Sequence, residues 1–125
     1  MTGLEAFKRA LRLLGYTDSS GEPDAAASGE LYKRGLSIVD QLCADLVQAQ
    51  TGTLPEPLSS LNRPLPLSDM AARQVLPYGI AMMLAAARGD GDNQQLFASL
   101  YTQKRLLLRR ENDRRIDVLP RGCDE

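Results

Sequence analysis

The chain contains no histidine and no tryptophan, and only two phenylalanines, four tyrosines and two cysteines in 125 residues. Each shortage removes a class of function. Without histidine, the usual general base and the commonest metal ligand are missing. Cys43 and Cys123 form no CxxC pair, and two thiols fall short of the four ligands of a structural zinc site. Cys43 lies among apolar positions with no histidine to activate it, so it reads as a packed thiol rather than a nucleophile. Two unpaired thiols suit a reducing cytoplasm. Asp40 and Asp45 stand five apart, a poor spacing for sharing one helix face. The stretch "GDGDN" lacks the closing glutamate of a calcium loop, and no glycine pattern for cradling phosphate occurs. The sequence therefore points to no enzyme, and to no metal or cofactor.

A membrane span is missing as well. The segment from Leu76 to Ala87 carries no charge, yet it is far shorter than the about 20 apolar residues of a spanning helix. It must instead be covered on more than one side, by the rest of this chain or by another copy. The opening "MTGLEAFKRALRLLG" is charged throughout, so it is an amphipathic helix and not a signal peptide. With hydrophobic residues at 43% and charged residues at 25%, the chain has the make-up of one soluble globular domain. Scarce aromatics leave Leu, Ala, Ile, Val and Met to build its core.

Helical spacing dominates what is present. Leu4, Phe7, Leu11 and Leu14 share one face of a first helix that Gly15 stops. The acidic, glycine-bearing stretch after it is a loop. A second helix starts between Asp24 and Glu30 and runs to about Gln50. Its broad band of Leu31, Gly35, Ile38, Leu42 and Leu46, widened by Leu36, Val39, Cys43 and Val47, suits a central position. Gly35 there allows a close helix approach, although it costs about 1 kcal/mol against alanine.

Residues 51–69 hold four of the seven prolines, with Leu54, Leu58, Leu61, Leu65 and Leu67 spaced between them. This pattern fits an ordered arm or a small β-hairpin. Leu54, Leu58, Leu61 and Leu65 are its candidates for contact with a neighbouring subunit. Ser68 is placed to cap the third helix, and Pro77 inside that helix should kink it. The third helix ends near Arg88 and Gly89. Asp92 and Gln95 form a capping box for a fourth, along which Leu96, Leu100 and Leu107 make one row and Phe97, Tyr101, Lys104 and Leu108 another. The fourth helix is expected to fade around Asn112, dividing a helical domain (1–110) from an extended tail (111–125).

Charge is uneven along the chain. Net charge is −1, but Lys104 to Arg115 holds six basic and two acidic side chains. Arg105, Arg109, Arg110, Arg114 and Arg115 are therefore candidates to meet DNA phosphates or an acidic protein surface. Beyond them Ile116, Val118, Leu119 and Pro120 form an apolar group on a polar tether, the composition of a segment that docks on a partner.

The order of parts is distinctive. It runs from a short helix with "ALRLLG", through an acidic turn, a long helix and a Leu/Pro arm, to "LPLSDMAARQVLPYGIAMMLAAARGD" and a helix with "LFASLYTQKR". Over roughly residues 4–110 it resembles the head-to-tail connector (adaptor) proteins of tailed bacteriophages and prophages. The third-helix pattern of that family is matched at Leu76, Tyr78 to Ile80, Leu84 to Ala86 and Arg88 to Asp90. The resemblance implies an all-α domain of four helices and a structural role. Such a protein forms a ring, dodecamer-like in size, that joins the portal to the tail and surrounds the DNA exit channel. Its partners would be the portal, tail-completion proteins and, non-specifically, double-stranded DNA. It would sit in the virion at the head–tail junction after assembly in the bacterial cytoplasm. The apolar tail would then reach the portal. The rival reading is a small cytoplasmic helical DNA-binding protein that uses the basic stretch.

Overall fold

The computed structural model describes the backbone of residues 1–22 and 25–118, and the side chains of residues 1–22 and 31–108. Four α-helices form: α1 (Gly3–Leu14), α2 (Ala25–Thr51), α3 (Leu76–Ala87) and α4 (Gly91–Val118). No strand occurs among the described residues. One isolated antiparallel bridge joins Thr2 to Pro64.

Local chemistry sets the ends of α1. The Thr2 hydroxyl accepts the Glu5 amide at 3.2 Å, and Gly15 closes the helix at a φ of 79°, a left-handed conformation that glycine adopts without a Cβ penalty. Phe7, Ala10, Leu11 and Leu14 are buried along one face, with Ala6 beside them. On α2, Leu31, Ile38, Leu42 and Leu46 are buried together with Val39, Cys43 and Val47, so the broad band is used. Gly35 lies against the Phe7 ring, where an added Cβ would come within 3.1 Å of the ring edge. This is the close helix approach expected there.

The uncharged helix α3 is the hub. It packs against α1, α2 and α4, and Leu76, Ile80, Ala81, Leu84 and Ala85 are fully enclosed. Ser68 does cap this region, its hydroxyl accepting the Ala71 amide at 3.2 Å. The kink expected at Pro77 takes the form of a single π-helical turn, Ala71–Val75, in which the Leu76 amide donates to the Ala71 carbonyl. Pro77 lacks an N–H, and its ring needs the space of the carbonyl one turn back. Widening the preceding turn supplies that space.

One alternative is decided and two expectations require correction. The arm between α2 and α3 is not a hairpin; prolines and serines interrupt every run long enough to pair, and the segment is held to its own bundle instead. Its Leu61 carbonyl accepts the Leu4 amide at 2.8 Å, its Leu65 amide donates to the Met1 carbonyl at 3.1 Å, and its Leu58 amide donates to the Asp40 carboxylate at 2.8 Å. Helix α4 begins two residues earlier than the Asp92–Gln95 box requires. Asp90 is its cap, and Asp92 lies in the first turn, where its charge suits the helix dipole. Finally, α4 does not fade at Asn112 but continues to Val118. No glycine or proline lies between Gly91 and Pro120, and Leu, Arg and Glu in this stretch are good helix formers. The backbone of Ile116 and Val118 is therefore helical rather than extended, and the division at residue 110 falls within a continuous helix.

Gly79 sets the closeness of α3 and α4. A Cβ there would lie 2.7 Å from the Tyr101 ring, which is buried and cannot swing aside. Gly79→Ala should therefore destabilise the protein by about 1–2 kcal/mol despite the better helix propensity of alanine. Gly91→Ala, facing open space, should cost nothing. Urea unfolding of the two variants checks both outcomes.

Candidate functional site

The candidate contact residues lie at the C-terminal end of α4 and in the arm. On the core-facing side of α4, Phe97, Tyr101 and Leu108 are buried. Tyr78 of α3 packs beside Phe97 with ring centroids 6.1 Å apart. The second of the two rows read from the sequence thus faces the bundle, with Lys104 over the Tyr78 ring at 4.4 Å. The first row is turned outward: Leu96 and Leu107 are about half exposed, as is Leu106, while Leu100 packs at the edge.

Arg105 is not free for a partner. Its guanidinium donates to Asp45 of α2 at 3.0 Å, and the Tyr101 hydroxyl donates to the other oxygen of the same carboxylate at 3.4 Å. The Arg105 Nε is enclosed, with no hydrogen-bond partner among the described residues. Burial, followed by the negative charge of Asp45, pushes the Tyr101 phenol up to about 12, so it remains a proton donor to that carboxylate. This triad joins α2 to α4 beside a small cleft bordered by Ala49, Thr102 and Leu106. Lys104 and Arg105, the first two cations of the basic run, therefore brace their own fold. The pairing of Arg105 with a carboxylate sixty residues away has no local signal; only the fold brings the two together.

The remaining basic residues, Arg109, Arg110, Arg114 and Arg115, follow Leu108 on the helical backbone of α4. Their side chains lie outside the described residues, as do those of Ile116 and Val118. Leu119 and Pro120 lie outside them altogether. In the arm, Leu58, Leu61 and Leu65 pack on the chain's own core, whereas Leu54 is 68% exposed. Of the four leucines expected at a subunit contact, three are used within the monomer.

A second polar cluster, missed in the sequence, fastens the far end of the bundle. Asp90 accepts the Tyr16 hydroxyl at 3.0 Å and the Asn93 side-chain amide at 2.7 Å, while the Arg88 guanidinium lies 4.6 Å from the centre of the Tyr16 ring. Burial and the bond to Asp90 raise the Tyr16 phenol above its ordinary value. The bonds from Asn93, with help from Tyr16, hold the Asp90 carboxyl below its own. Cys43 is enclosed, and burial near Asp40 raises its thiol to about 11, the state of an unreactive core sulfur. No described helix is long and apolar enough to cross a membrane.

No protein family, curated protein or solved structure matches the chain. The site must therefore be judged on its own chemistry. Among the described residues it has no activated nucleophile. What it offers is outward leucines and a basic helix end, the features of a contact surface.

The depressed Asp90 carboxyl carries a pH consequence. Its folded-state value lies below the ordinary 3.8, so its contribution to stability is present above that pH and is lost as pH falls further. Between pH 5 and pH 3 the native protein should lose more thermal stability than Asp90→Asn, which has no carboxylate to protonate. Melting curves of both proteins across that range measure the difference.

Proposed function

We propose that the chain is a structural head-to-tail connector of a tailed phage or prophage. Copies associate in a ring that joins the portal to the tail around the DNA exit channel. The observation that carries this reading is the apolar surface that α4 turns outward, with Leu96, Leu106 and Leu107 about half exposed on a helix that runs to Val118 and has four further arginines in its sequence. Clustered arginines in that helix give an acidic protein surface or a DNA backbone a basic element to meet.

Other observations support the same reading. Leu96, Leu106 and Leu107 on the outward side of α4, with Leu13 on α1 and Leu54 in the arm, leave apolar surface that a neighbouring copy can cover. A repeated head-to-tail contact between unlike surfaces closes into a ring when its rotation is right. The third helix is the hub of the monomer, and with the following Arg88–Asp90 it carries the sequence pattern that resembles the connector family. With Lys104 and Arg105 engaged inside the monomer, Arg109, Arg110, Arg114 and Arg115 are the residues to meet an acidic portal surface or the DNA. The mature location is then the virion, at the head–tail junction.

The helical arginine run also favours a second reading, a small DNA-binding protein, since phosphate contacts require only clustered cations on a rigid support. One set of measurements separates the two. Electron microscopy and light scattering of the concentrated chain, with and without a tailed-phage portal protein, should show rings or a portal complex. A strict monomer that ignores portal but binds duplex DNA with strongly salt-dependent affinity would transfer the assignment to the second reading.

A further inference from the structure

Helix α4 presents a row that the described residues leave largely uncovered. Leu96, Leu100, Gln103 and Leu107 follow one another at steps of four, three and four residues, the spacing of a coiled-coil seam. Leu96 is 52% and Leu107 56% exposed, Gln103 is exposed, and Leu100 packs at the edge of the core. From Asn93 to Gln103 the helix carries no charged residue, although charged residues make up 25% of the chain. A helix face meant for water carries charge; this one has the make-up of a helix contact.

We propose that two copies of the chain pair along this row, α4 against α4 and antiparallel. The row fits its own copy in one register. Leu96 of each copy meets Leu107 of the other, and Leu100 meets Gln103, so all four layers contain a leucine. Leu106, 49% exposed, flanks the row on the side away from the core and falls beside the small Ser99 of the other copy. Sliding the copies by one heptad sets Leu96 and Leu100 level with positions 114 and 110, both arginine in the sequence. Sliding the other way carries Leu107 past the start of the facing helix, level with Gly89. The single glutamine costs stability and helps to select the register.

Charge selects the direction. A parallel pair lays the run Lys104–Arg115, six basic and two acidic residues, against its own copy and aligns the two helix dipoles. The antiparallel pair sends the two runs to opposite ends and brings each towards the exposed Asp92 in the first turn of the facing helix. Such a contact uses the same patch on both copies and closes at two. It goes beyond the ring reading, because it describes the free chain. A ring that covers Leu96, Leu106 and Leu107 must first open it.

Light scattering of the full chain from about 1 μM to about 1 mM should show a monomer–dimer equilibrium, weakened at least tenfold in Leu96→Glu and in Leu107→Glu. Both positions are half exposed, and unchanged melting temperatures verify that the folds are intact. Register is read from chains with Cys123→Ser that carry Leu96→Cys or Leu107→Cys singly; Cys43 is enclosed and stays in place. Oxidised separately, each should crosslink poorly, since like positions of the two copies stand about 16 Å apart along the pair. Mixed, they should crosslink unlike chains. A chain that is monomeric up to about 1 mM, a dimer indifferent to both glutamates, or crosslinking as strong within each variant as between them overturns the inference. Rings on a tailed-phage portal from a chain that never dimerises overturn the pair alone. A dimer that never forms rings or binds portal overturns the ring reading alone.

Discussion

Everything in this fold depends on the need to cover α3. From Leu76 to Ala87 the chain offers water no charge, and a helix apolar around its whole circumference has no face to turn outward. Three helices and the π-helical turn close around it, and the other elements follow from that demand. Helix α2 must be long to reach α1, α3 and α4, and its band of buried side chains is correspondingly wide. Tyr101 must come close enough to α3 that only glycine fits at position 79. The arm, which belongs to no helix, closes over the start of α1 and beside Gly35, where Leu61 and Phe7 meet.

Polar clusters at opposite ends of α3 fix how the cover fits. Around Tyr16 and Asp90, a tyrosine from the end of α1 meets the cap of α4, so the first and last helices are tied at the turn that follows α3. Around Asp45, α2 is tied to α4 by an arginine and a tyrosine sharing one carboxylate. The Arg105–Asp45 pair is partly exposed, and its Coulombic gain is modest at such a site. Its larger effect is on register. Apolar contacts between leucines and alanines tolerate sliding, whereas two donors on one carboxylate do not.

Features decided within a few residues were legible in the sequence. Gly15 and Gly89 as stops, Ser68 as a cap, Pro77 as an irregularity and Gly35 as a contact point each act through local backbone chemistry, and each is found in that role. Features decided by competition or by distance were not legible. Asp90 and Asp92 are both good caps, and Asp90 prevails because Tyr16 also needs it. Two rows on α4 both carry large apolar side chains, and only the position of α3 selects Phe97, Tyr101 and Leu108. The arm leucines looked spare because their partners, Met1, Leu4 and Asp40, are remote in sequence. The end of α4 was set too early because Asn112 is a weak helix former but not a stop, and nothing else interrupts the helix before Val118.

The π-helical turn before α3 holds one residue more than an α-helical turn would, and that surplus has a consequence for how the chain can change. It separates the angular phase of α3 from that of the segment beginning at Ser68. Removing one residue between Ala71 and Val75 would convert the wide turn to an ordinary one, and the faces of α3 would keep their aim only by turning the Leu/Pro arm about 100° around the axis. The arm is tied to Met1, Leu4 and Asp40, so it cannot rotate freely. The extra residue thus acts as a phase lock between two parts of the monomer. Length variation among relatives is expected to fall in the arm and the loops, and to spare these five positions.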